Sequence, residues 1–319
     1  MRYKQFGKTG LNVSALAVGS VVFDRTTVTE GVRTLKAAFD AGINIVDTAN
    51  AYSAGEAEEV VGEAIQGRRD EVVVATKVWG PMGSDPNARG SSRRHIKQQC
   101  DASLARLGTD YIDIYQLHRP DPETPIAESL SALDDLVRAG KVHYVGISTF
   151  MPSWLAVESI LTARLIGCAQ PVSEQPPYNL LDRSVEQDLL PLARKYGLAV
   201  MPWSPLAYGL LTGKYQGGVP DGSRLATKPE IVDSPAFEAA VKATGRLSDV
   251  AAEAGITVAQ LALAWLLAQP GVTCPVIGPR TASQLPELLA AADIELEPSV
   301  LAVIDDIVPP GSAVFPLGD

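Results

Sequence analysis

Short apolar runs alternate with segments of helical spacing along almost the whole chain, and a sustained strand–helix rhythm leaves few folds open. A β-hairpin is expected first, at about residues 2–6 and 12–15 around the turn Gly7-Lys8-Thr9-Gly10. Strand-like runs then fall at 16–19, 43–46, 72–76, 111–117, 143–147, 170–175, 198–203 and 273–277. Between them, helical spacing covers 29–41, 57–66, 92–107, 125–139, 152–166, 184–196, the pair 235–254 and 257–268, and 281–291, with a short extra helix at 298–307. Gly42, Gly108, Gly140 and Gly197 stand where four of these helices should stop. Eight strand–helix units in 319 residues, with no shift in composition to mark a boundary, predict an α/β fold. The architecture is a (β/α)8 TIM barrel spanning 1–319 as one domain, its amino-terminal end closed by the hairpin. An open doubly wound sheet is the competing architecture, disfavoured because no G-x-G-x-x-G follows the first strand. The rhythm breaks after strand 7: residues 205–234 are rich in Gly, Pro and charge without periodicity, and are expected as a long loop beside the active face.

Ligands bind at the carboxyl ends of strands in such folds. Four polar groups stand there on successive runs: Asp47 and Tyr52 after 43–46, Lys77 after 72–76, and His118 after 111–117. A tyrosine hydroxyl, with an ordinary pKa of ~10, is a poor proton donor at neutral pH. A neighbouring ammonium favours the phenolate, so Lys77 is expected to lower the Tyr52 pKa, with Asp47 holding Lys77 charged and in place. His118 would hydrogen-bond a substrate oxygen. Such a set donates a proton to an oxygen as it gains negative charge. Hydrolysis is unsupported, because no Ser or Cys sits in a nucleophile-elbow turn. The set lacks a source of electrons, which a cofactor hydride would supply.

Composition narrows the partners. A net charge of −10 and a pI near 4.9 argue against nucleic acid, while leaving room for a local basic pocket around a phosphorylated cofactor. The three cysteines, Cys100, Cys168 and Cys274, are far apart in sequence and form no metal-ligand motif, so no metal is expected. No run reaches membrane-spanning length and the first residues lack an apolar leader core, so a cytoplasmic protein is expected.

Several stretches carry a resemblance. They are Gly7–Ser14, Asp47-Thr-Ala-Asn-Ala-Tyr52, the run from Leu107 through His118-Arg-Pro-Asp121, Ala139–Val142, Gly146–Phe150, Trp203-Ser-Pro-Leu206 and Pro275–Thr281. In this order and spacing the chain resembles the aldo-keto reductase family over nearly its whole length. It looks most like the branch containing bacterial reductases and potassium-channel β subunits. The resemblance implies a NADPH-dependent oxidoreductase reducing aldehydes or ketones to alcohols, with Tyr52 as general acid, Lys77 and Asp47 tuning it, and His118 orienting substrate. It further implies that Ser148 and Gln175 bond the nicotinamide carboxamide and that Trp203 stacks on the ring. Ser204, Leu206 and Gly209 would line the pyrophosphate, Arg280 would meet the 2′-phosphate, and Gln284 and Glu287 would lie near the adenine.

Three departures touch the cofactor: Thr149, Glu174 and Leu288 stand where members of the family often carry Asn, which leaves NADH possible. Loops 20–28, 79–91, 119–124 and 205–234 would carry substrate choice, with Phe23, Trp79 and Tyr208 expected to wall an apolar pocket. The alternative is a regulatory subunit that holds NADP(H) and docks a partner with little turnover.

Overall fold

The computed structural model describes residues 1–317. Strands β1 (Tyr3–Gln5) and β2 (Asn12–Ser14) form the antiparallel hairpin. The chain then alternates: β3 (Ala17–Gly19), α1 (Val28–Asp40), β4 (Ile45–Asp47), α2 (Glu56–Ile65), β5 (Val73–Val78) and α3 (Arg93–Leu107). It continues through β6 (Ile112–Leu117), α4 (Ile126–Arg138), β7 (Val142–Ser148), α5 (Trp154–Ile166), β8 (Pro171–Gln175), α6 (Leu189–Tyr196) and β9 (Ala199–Val200). After α7 (Pro229–Val232), α8 (Pro235–Glu253) and α9 (Val258–Ala268) come β10 (Val276–Ile277), α10 (Leu285–Ala290) and α11 (Pro298–Ile307).

β3 to β10 form one parallel eight-stranded sheet in which β10 pairs with β3. The ring closes between its last two strands: Val272 bridges Val200, and the Val276 N–H donates to the Pro202 carbonyl at 2.9 Å. This is the (β/α)8 barrel.

Side chains of a strand alternate between faces, and that alternation sorts the interior into layers. The lower layers are apolar. Ala17, Ile45, Val73, Ala75, Ile114, Ala199 and Met201 pack on Phe6 and Val13 of the hairpin. Two residues further along, the inward positions turn polar at Asp47, Lys77 and Gln116. The hairpin is thus the floor and the polar ring the mouth. Gly7 makes the floor possible. It sits at φ 56°, and a Cβ there would lie 2.7 Å from the Gly197 carbonyl oxygen and 2.8 Å from the Ala199 nitrogen. No residue with a side chain allows that approach.

Five segments differ from expectation. The seventh and eighth strands are regular only at Ala199–Val200 and Val276–Ile277, with single bridges at Trp203 and Val272, because Pro202 and Pro275 bring no N–H to the ladder. Just past Pro202, the Trp203 N–H donates to the Pro176 carbonyl at 2.9 Å. The expected helix 184–196 breaks into a 3₁₀ turn at Ser184–Glu186 and α6, which Asp188 caps. Helix 281–291 divides similarly around the short α10, where Pro286 enforces a helix start. The 205–234 loop has structure of its own, a 3₁₀ turn at Ala207–Thr212 and α7. Among the described residues, no single helix is long and apolar enough to cross a membrane.

Candidate active site

β4 and β5 end side by side, with Asp47 opposite Ala75 in register, so Lys77 reaches the carboxylate from one step higher. Lys77 is fully buried. Its ammonium donates to Asp47 Oδ2 at 2.7 Å, to the Thr48 carbonyl at 2.9 Å and to the Tyr52 hydroxyl oxygen at 3.2 Å. An ammonium has three protons to donate, and all three are used. The other Asp47 oxygen accepts the Gln175 side-chain N–H at 2.8 Å. Tyr52 opens a 3₁₀ turn in which Ser53 and Ala54 hold φ of 47° and 54°. Non-glycine residues rarely adopt such values, and that strain is spent on placing the ring. The His118 ring meets Tyr52 edge-on, centroids 5.6 Å apart at 78°.

These contacts set the protonation states. Burial pushes the Lys77 pKa down, but the Asp47 carboxylate and Tyr52 outweigh it, and the net direction is up. Lys77 is an ammonium. Burial pushes Tyr52 up, against the opposing pull of Lys77, and burial wins. The expected lowering is therefore reversed. His118 is driven well below the usual imidazole range by burial, then by Lys77 and Arg119. It is a neutral imidazole able to donate one N–H. Since Lys77 donates to the Tyr52 oxygen, the phenol's own proton points elsewhere.

Asp47, Tyr52 and His118 line a cleft of about 450 Å³, with Lys77 fully buried beside Asp47 and Tyr52. Ser148, Gln175 and Trp203 line the same cleft. Ser148 Oγ donates to the Gln175 carbonyl at 2.9 Å, and the Trp203 indole N–H donates to the Thr149 hydroxyl at 3.2 Å. The backbone from Ser204 to Gly209 follows the cleft, with Ser204, Ala207, Tyr208 and Gly209 all at positive φ. Leu206 lines this part. Arg280, Gln284 and Glu287 also line it, and Gln284 Oε1 accepts the Arg280 backbone N–H at 2.8 Å. The Arg280 guanidinium donates to the Gly222 carbonyl at 2.7 Å, tying the 205–234 loop to the barrel.

Of the three expected pocket walls only Tyr208 lines the cleft. Phe23 is buried beneath α1, against Gly31, because that helix offers a gap without a side chain. Trp79 is not among the lining residues, and Val21 and Val22 take that part of the rim. Leu288 lines the cleft from within the core. Sequence reasoning missed Lys214 and Arg224, both in the cleft wall. Lys214 Nζ packs so closely on Gly209 that a Cβ there would lie 2.7 Å from it. The Arg224 guanidinium sits 4.5 Å from the Tyr208 ring centroid. The available signal was two cations within a glycine-rich loop at the mouth of an acidic protein.

Fold and site together define a class, (β/α)8 barrels with a buried cluster of titratable groups at the mouth. Comparison with known proteins narrows it: the profile of the aldo/keto reductase family matches residues 15–309, and the chain belongs to that family. It is 40% identical to a Bacillus subtilis protein described as an uncharacterized oxidoreductase, YrpG, over 97% of this chain and 96% of that one. It is 38% identical to a probable voltage-gated potassium channel subunit beta from Oryza sativa subsp. japonica, over 97% of both chains. A putative subunit of the same description from Schizosaccharomyces pombe matches at 38% over 96% of this chain and 93% of its own.

Proposed function

We propose that this protein is a NADPH-dependent reductase of small aldehydes and ketones, with Tyr52 as the general acid. The observation that carries the reading is the full use of the Lys77 protons. With its oxygen already accepting from Lys77, Tyr52 directs its own proton into the cleft. The raised Tyr52 pKa keeps that proton in place until a carbonyl oxygen gains charge, and Lys77 then stabilises the phenolate left behind. The neutral His118 N–H holds the same oxygen and orients it. Asp47 keeps Lys77 charged in a buried place.

The lining fits a nicotinamide dinucleotide. Trp203 offers a flat face, and Gln175, which donates to Asp47, keeps its side-chain carbonyl for a carboxamide N–H. The positive-φ run 204–209 turns backbone toward the cleft, and Lys214 and Arg224 supply charge for a pyrophosphate. Arg280 suits a 2′-phosphate, with Gln284 and Glu287 beside the adenine. The chemistry taken from bound NADPH is a hydride to the carbonyl carbon.

Two relatives are described as channel subunits, which favours a second reading: a cofactor-holding subunit that docks a partner. The four polar residues at the mouth favour turnover. The test is oxidation of NADPH with a panel of carbonyls by the protein and by Tyr52→Phe. Turnover in the first, lost at least ~100-fold in the second with nucleotide affinity kept, supports the reductase. Tight binding without turnover in either supports the subunit.

A further inference from the structure

Behind the cleft lining lies an acid that the proposed reaction does not use. Ser173 and Gln175 of β8 face the barrel interior, so Glu174 between them faces outward, and it is fully buried. Its Oε1 accepts the Phe150 backbone N–H at 3.1 Å; the adjacent Thr149 N–H donates to the Gln175 carbonyl at 3.1 Å and lies near enough to pull on the carboxyl as well. Oε2 has no partner among the described residues. Thr149 stands at φ 56°, which a β-branched residue keeps only when its surroundings hold it. Its hydroxyl takes the Trp203 indole N–H. An unbroken chain of hydrogen bonds and covalent links thus runs from the Glu174 carboxyl to the Trp203 ring.

We propose that Glu174 is a positioning residue: its carboxyl holds the Thr149–Phe150 backbone and, through the Thr149 hydroxyl, the Trp203 ring, and its ionisation tunes the cleft between oxidised and reduced cofactor. The second half rests on the reading of Trp203 as the nicotinamide platform. Burial pushes the Glu174 carboxyl up to about 8, against the pull of the two backbone N–H groups. Among the described residues, no charged side chain answers it from the neighbouring elements. Glu158 and Arg164 of α5 lie on that helix's exposed side. His143, the second residue of β7, is exposed and beside Asp113, and β9 carries no charge. Asp47 of β4 and Lys77 of β5 are paired inside the barrel, on the side of β8 away from Glu174. The Arg119 guanidinium lies 6.0 Å from the Trp203 ring centroid on the cleft side, so ionisation of Glu174 adds one negative charge behind a Trp203 wall that already has a cation beside it. An oxidised nicotinamide ring is positive and a reduced one neutral, so the charge favours the oxidised form.

The experiment has two parts. First, the backbone amides of Thr149 and Phe150 and the Trp203 indole N–H are followed by NMR in the nucleotide-free protein from pH 6 to 9.5. They should titrate together with a midpoint near the value of about 8 for Glu174, and stay flat in Glu174→Gln. In Thr149→Val the Phe150 amide should still titrate while the indole no longer follows. Second, Kd is measured for NADP+ and NADPH at pH 7 and pH 9. The ratio Kd(NADP+)/Kd(NADPH) should fall by about threefold or more in the wild type and remain constant in Glu174→Gln. Amides that do not titrate, or titrate equally in Glu174→Gln, would overturn the proposal. So would a constant ratio in a wild type that binds both nucleotides. Titrating amides with no binding of either nucleotide would support the Glu174 clamp and overturn the cofactor reading instead.

Discussion

The buried pair Asp47–Lys77 offers the sharpest test of how the site is held together. At 2.7 Å and an effective dielectric of about 20, the pair attracts by about 6 kcal/mol, an upper bound on its coupling. The desolvation of two ions offsets most of that gain, so the intact pair contributes little net stability. Removing one partner is another matter. Lys77→Met leaves the Asp47 carboxylate with the Gln175 amide as its remaining partner. Asp47→Asn leaves a fully buried ammonium with a carbonyl and a phenol. Each single substitution should cost about 3–5 kcal/mol, because each strands a charge. The double variant strands none, and should fall within about 2 kcal/mol of the wild type. The assay is urea unfolding of all four proteins at pH 7, without nucleotide. With a slope of about 3 kcal/mol/M, each single variant should lose more than about 1 M in midpoint, and the double variant should recover most of it. A double variant destabilised by the sum of the two singles would refute the reasoning. It would show that the two charges do not act on each other and that Lys77 has no claim to be held in place by Asp47.

Three further outcomes are expected. Arg280→Ala should weaken NADPH about tenfold or more and NADH by less than about twofold, whereas Lys214→Ala and Arg224→Ala should weaken both nucleotides alike; titration by Trp fluorescence quenching separates the cases. Gly7→Ala should lower stability by about 2 kcal/mol or more in urea unfolding, because it adds a left-handed backbone penalty to a contact between Cβ and the Gly197 carbonyl. Glu174, whose folded pKa of about 8 lies above the ordinary 4.5, binds a proton in the folded state that the unfolded chain has released, so stability should fall as pH rises between those values, by up to about 4–5 kcal/mol. Glu174→Gln should flatten that decline in unfolding measured from pH 5 to 9.

Much of this was legible in the chain, for identifiable reasons. The barrel could be read because most strands are short apolar runs set between segments of helical spacing, and Asp47, Lys77 and His118 each follow such a run. The shortening of its last two strands to Ala199–Val200 and Val276–Ile277 could not, since it depends on where Pro202 and Pro275 meet the ladder. Phe23 illustrates a different limit. An aromatic residue in a mouth loop looks like a pocket wall until Gly31, eight positions later on α1, is seen to leave a gap that it fills. Lys214 and Arg224 escaped because their loop has no periodicity, and only the packing of Lys214 on Gly209 aims one of them at the cleft.

The pKa of Tyr52 shows what a list of neighbours leaves undecided. Lys77 pulls it down and burial pushes it up, and the same folding event produces both, since it brings the ammonium to 3.2 Å and strips water from the phenol. Which effect dominates depends on depth, a tertiary property that no motif encodes. The outcome suits a proton donor better than the expected lowering would. A phenol made strongly acidic in an empty site would lose its proton to water before a substrate arrived. In the reductase proposed above, a proton held by burial would stay until negative charge developed on an oxygen close by, and only then would the Lys77 ammonium favour its transfer. The strained turn at Ser53 and Ala54 belongs to the same arrangement, because it carries the Tyr52 hydroxyl inward to where Lys77 can reach it.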